Sequence, residues 1–174
     1  SLGFSVKDIN GKRVTVDDPR LDAIWKKAGE LKIPVLIHTA DPKPFWQPMD
    51  ANNERWLELA TRPGRKREDN DPAPWDTLID EWPNVVVEFG AVIAELGRQP
   101  RAANQFFTKY QDRILFGKDS WVPAEYPTYF RVLESTDEYF PYHKKYHAYW
   151  AMYGMGLSDD ILKKIYYKNA LRII

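Results

Sequence analysis

Among the 174 residues of this chain, His38 and Asp119 are the side chains best suited to chemistry. Each closes an apolar run, Val35-Leu36-Ile37-His38 and Ile114-Leu115-Phe116-Gly117-Lys118-Asp119. An imidazole at a strand end suits a divalent ion such as zinc or manganese. A carboxylate there can bind the same ion and take a proton from its bound water. The same two residues can also be structural, the histidine satisfied by a hydrogen bond and the aspartate capping the next turn. Asp41, just beyond His38, and Glu88, within Val85-Val86-Val87-Glu88-Phe89, are possible additions to the site. Lys118 should face the side of the strand opposite Asp119 and reads as structural. Catalytic zinc usually has three protein ligands, so His38 and Asp119 alone do not complete a site.

Other reactive patterns are weaker. His143 and His147 are four residues apart, a spacing that can bind a metal from one helix face, but Lys144 and Lys145 stand between them and the glutamate of the hydrolytic version is missing. There is no cysteine, which excludes disulfides, thiolate ligands and a cysteine nucleophile. The glycines are scattered rather than gathered in a phosphate loop, and no serine forms a nucleophile elbow. Tyr139, Phe140, Tyr142, Tyr146, Tyr149, Trp150 and Tyr153 read as packing or an oligomer surface. The 25 basic and 25 acidic residues balance, so charge gives no case for nucleic acid or an anionic membrane as partner.

The elements that would position these residues follow from pattern. Residues 4–16 read as a hairpin around Asn10-Gly11. Asp17-Asp18-Pro19 opens a helix with Leu21, Ile24, Trp25, Ala28 and Leu31 on one face. Residues 35–38, 85–89 and 114–119 read as strands buried on both faces, the signature of a parallel sheet. Helices are expected over 52–61, 75–82, 90–97, 101–110, 123–134 and 138–153. A last helix is capped by Ser158 and has Ile161, Leu162, Ile165 and Tyr166 on its inner face. Residues 62–72 read as a solvated loop. Strands alternating with helices define an α/β fold, and the length fits one domain over residues 1–174.

Three pieces carry a family resemblance: Pro34-Val-Leu-Ile-His38-Thr-Ala-Asp-Pro42, Ile114-Leu-Phe-Gly-Lys-Asp119-Ser and Ile165-Tyr-Tyr-Lys-Asn-Ala-Leu-Arg-Ile173. Together they resemble the amidohydrolase-related metal-dependent hydrolases, the amidohydrolase 2 group. The resemblance implies a TIM barrel and the hydrolysis or decarboxylation of a small substrate. It implies that His38 is a metal ligand ending the fifth strand. Asp119 would be a metal ligand and proton acceptor ending the eighth, with residues 85–89 as the seventh. The family's paired histidines of the first strand have no counterpart here, and one internal βα unit is missing between Ile79 and Asp80. The expected architecture is therefore a truncated (β/α) barrel, with about three core parallel strands and an N-terminal hairpin surrounded by helices.

Two functions are compatible with that frame. One is a hydrolase-type domain, catalytically incomplete as an isolated chain, in which a zinc or manganese ion is held by His38 and Asp119. The other is a non-catalytic scaffold that oligomerises, a dimer covering the exposed sheet edges. No apolar run approaches the roughly 20 residues of a membrane helix, and no signal peptide opens the chain, so a soluble, cytoplasmic protein is the default expectation.

Overall fold

The computed structural model describes residues 6–38, 42–67, 79–80, 82–144 and 146–174. The fold is α/β, with few and short strands. Strand β1 (Val87–Glu88) pairs in parallel with β2 (Ile114–Leu115), Val87 opposite Ile114 and Glu88 opposite Leu115. A separate antiparallel pair joins β3 (Phe140–Pro141) to β4 (Ala151–Met152). The helices are α1 (Asp22–Glu30), α2 (Trp56–Thr61), α3 (Ile93–Arg98), α4 (Pro100–Lys109) and α5 (Tyr126–Glu134). At the C-terminus α6 (Asp159–Lys163) runs through a π-helical turn (Lys164–Lys168) into α7 (Asn169–Ile173). None of the described helices is long and apolar enough to cross a membrane.

Several elements follow local chemistry. Asp18 caps the first turn by accepting the Arg20 N–H at 3.0 Å, and Pro19, lacking an N–H, sits where that donor would be unsatisfied. Prolines likewise open α4 and sit in the first turn of α5. Arg113 holds the approach to β1 by donating to the carbonyls of Ile79 (2.8 Å), Trp82 and Val85 (2.7 Å). It satisfies acceptors that no backbone ladder reaches.

The core lies between β1–β2 and the helices that follow them. Phe89, Ile93, Phe107, Ile114, Val132, Leu133, Met152 and Ile165 are buried together. Phe89 meets Phe107 and Phe116 edge to face, with ring centroids 5.4 and 5.6 Å apart, contacts worth about 0.5–1.5 kcal/mol each beyond burial. The C-terminal helix covers β2. Buried Asn169 donates to the carbonyls of Gln111 (2.7 Å) and Ile114 (2.8 Å), and Phe116 N–H donates to the Ile165 carbonyl within the π-helical turn (3.0 Å).

The structure corrects the sequence expectations in four places. Residues 35–38 are not a buried strand. They are irregular and exposed, Leu36 at 88%. An apolar run becomes a central strand only with neighbours to pair and layers to cover it, and α1 buries no residue that could supply a layer. Instead of three core parallel strands, the described residues form one parallel pair and no closed barrel. Residues 138–153 are not a helix but the β3–β4 pair and its connection; Tyr139 and Ala148 take left-handed φ values of 55° and 56°, which a helix interior does not tolerate. The N-terminal hairpin is reduced to a single bridge, Lys7 to Arg13, around a turn with Gly11 at φ 77°. Most of the expected 75–82 helix lies outside the described residues.

Replacing Asn169 by Ala removes the donor for two carbonyls beside β2. The loss expected is about 1–3 kcal/mol of unfolding free energy. Urea denaturation of the two proteins measures it.

Candidate functional site

The parallel pairing of β1 with β2 places the residues that follow each strand side by side, where open α/β sheets bind ligands. Glu88 is the last residue of β1. Its side chain folds across the ends of both strands, over two glycines. A methyl group on Gly117 would stand 2.5 Å from Glu88 Cγ and Cδ, and one on Gly90 would stand 2.6 Å from Oε1. Any larger residue at either position displaces the carboxylate. Asp119, exposed just after β2, is close enough for its charge to act on Glu88. Burial first, and then the Asp119 charge, push the Glu88 carboxyl above the ordinary glutamate range, against a hydrogen bond from Gly90 N–H.

A second layer of polar groups backs this pair. Tyr129 is buried in α5 and donates its hydroxyl to the Gly90 carbonyl at 2.5 Å. Its pKa is raised mainly by burial, with Tyr142, Glu125, Asp119 and Glu88 adding to the effect. Lys118 is buried rather than displayed. Its ammonium reaches Glu125 at 2.6 Å and the Ser120 carbonyl at 3.0 Å. Glu125 also meets His143 Nε2 and Lys144 Nζ, both at 3.4 Å. Burial works to raise the Glu125 pKa, but Lys118, Lys144 and His143 outweigh it and hold the carboxyl low. Burial lowers the His143 imidazole from its usual range, against the pull of Glu125.

The structure thus joins Glu88 to Asp119 and leaves His38 in an exposed irregular segment. Asp41 lies outside the described residues. Among the described residues no group of three or more His, Asp or Glu side chains could hold a metal ion. The described donors therefore do not fit a resident ion. His143 and His147 do not share a helix face; they serve different carboxylates, Glu125 and Glu58. Sequence reasoning missed Glu125 and Tyr129, and read His143 only as half of a weak metal spacing with His147. The only signal for them was the dense aromatic and charged stretch around 125–147, which reads equally well as packing.

Glu88 binds its proton more tightly in the folded chain than in the unfolded one. Its favourable contribution is fully present below the unfolded value near 4.5 and is lost as the pH rises through the folded value. Glu88→Gln should therefore match wild type at about pH 4 and be more stable at about pH 7. The difference should stay under about 1 kcal/mol, because the carboxylate still meets solvent. Urea denaturation at the two pH values gives the comparison.

The geometry has a counterpart in sequence comparison: a family model described as Amidohydrolase matches residues 3–174. No curated protein and no solved structure matches the chain.

Proposed function

The chain belongs to the amidohydrolase family, and from that premise we propose that it is a hydrolase-type domain acting on a small substrate at the Glu88–Asp119 site. The observation that carries the reading is the convergence of these two carboxylates at the ends of paired parallel strands, with Glu88 laid over Gly90 and Gly117. A carboxyl pushed above its ordinary range, set beside a second carboxylate, is suited to serve as a proton donor. Asp119 takes a proton from water as the water oxygen attacks the substrate carbonyl. Glu88 retains its proton to higher pH and gives it to the leaving nitrogen as the C–N bond breaks. A new C–O bond replaces the C–N bond, and the water's proton and the carboxyl's proton each have a destination.

A second reading, a non-catalytic scaffold that self-associates, is favoured by a different observation. Ile24, Leu31, Ile33, Val35, Leu36 and Ile37 are all exposed along α1 and the segment after it. Contiguous apolar surface of this kind marks an interaction face more often than a free one.

One experiment separates the two. The purified chain is offered a panel of small amides and released amine is measured, with sedimentation velocity on the same samples. The hydrolase reading expects turnover that Asp119→Asn and Glu88→Gln each lower by about 100-fold or more. A self-associating chain with no turnover on any amide would replace it with the scaffold reading.

A further inference from the structure

A second polar cluster, separate from the strand ends, joins the 42–67 segment to the core. Its centre is Arg55, buried at the start of α2. The guanidinium donates to Glu58 at 2.5 Å and to Glu95 of α3, and lies over the rings of Phe45 and Trp150. Glu58, fully buried, also receives Arg65. Arg98 of α3 closes the set on Glu95 and Glu54. Within this set the arginines and glutamates already balance one another.

Besides the Trp150 ring, His147 reaches the cluster from the β3–β4 connection. Its Nε2 stands 3.2 Å from Glu58 Oε1 and 3.3 Å from Arg55 Nη1. Its Nδ1 is buried and has no hydrogen-bond partner among the described residues. A neutral imidazole fits this place, because only one of its nitrogens carries hydrogen. An imidazolium does not. It would bury an N–H at Nδ1 without an acceptor. The next residue, Ala148, holds a left-handed φ of 56° although buried, so the connection is itself strained in the docked form.

We propose that the 142–150 connection is a latch that holds the 42–67 segment on the core while His147 is neutral and lets it go when His147 is protonated. The groups that face the imidazole set the direction of the response. Burial is the largest influence and disfavours the charged form. Glu58 of α2 favours it, and Arg55, Arg65 and Lys144 oppose it; together they hold His147 down to about 4. Tyr142, on the same connection, stands 5.7 Å from its ring and has its own pKa raised, so it stays neutral here. The released connection takes up protons near the ordinary histidine value of 6.5, the docked one only near 4. Docking is therefore complete above 6.5 and weakens as the pH falls between those values.

The test is an NMR titration of the whole chain from about pH 7.5 to 4.5, with labelled histidine rings and labelled leucine and isoleucine methyls. The latch predicts that Leu59, buried in α2, shifts together with the His147 ring, while Ile165, in the central core, does not move. In His147→Gln the Leu59 shift should be lost over this range. If that variant fails to fold, coincidence of the Leu59 and His147 curves in wild type decides alone. A Leu59 shift that persists in His147→Gln, or a His147 titration that leaves Leu59 unmoved, would overturn the proposal.

Discussion

The parallel pairing of Val87-Glu88 with Ile114-Leu115 is the constraint on which the rest of the molecule is built. It is only two residues long on each side, too short to be secure through its own hydrogen bonds. What keeps it is the material on either side: Phe89, Phe107 and Phe116 packed edge to face, and the C-terminal helix bound to β2 by Asn169 and the Ile165 carbonyl. Once the pairing is fixed, so is the position of whatever follows each strand. The Asp119 charge acts on Glu88 for that reason, and glycines at 90 and 117 leave room for the Glu88 side chain.

The two polar clusters illustrate different uses of burial. At the strand ends, carboxylates are placed near one another and one is made harder to ionise, a state that weakens the fold slightly and suits proton transfer. Around Arg55, charges are matched closely. A buried network of that kind adds little stability over an apolar equivalent, but breaking one partner is expensive. Its effect is to allow a single docked arrangement of the 42–67 segment, and among the described residues His147 is a titratable neighbour able to upset the balance as the pH falls.

Much of the second half of the chain was legible in sequence. The runs at 85–89 and 114–119 lie where the parallel pair forms, and the Ser158-led helix buries Ile161, Leu162 and Ile165 as its spacing implies. Asp119, and Glu88 as a weaker addition, stand out in sequence because strand ends are where such sheets bind ligands. The failures have a common cause. Residues 35–38 have the composition of a central strand, but composition does not supply neighbours, and the run lies exposed. Residues 138–153 are rich in aromatics that suit strand and helix alike, and the left-handed turns at Tyr139 and Ala148 leave no mark in residue type. The contacts of Glu125 with Lys118 and His143 bridge separate elements and fall at no helix or strand spacing, so they leave no local signature.

The central claim is that Glu88 and Asp119 form one electrostatic unit. Carbon-13 NMR of the Glu88 carboxyl, titrated in wild type and in Asp119→Asn, tests it most directly. The account predicts a Glu88 midpoint above the ordinary value of 4.5 that moves back toward it when Asp119 loses its charge. An ordinary midpoint in wild type, or one that Asp119→Asn leaves in place, would contradict it.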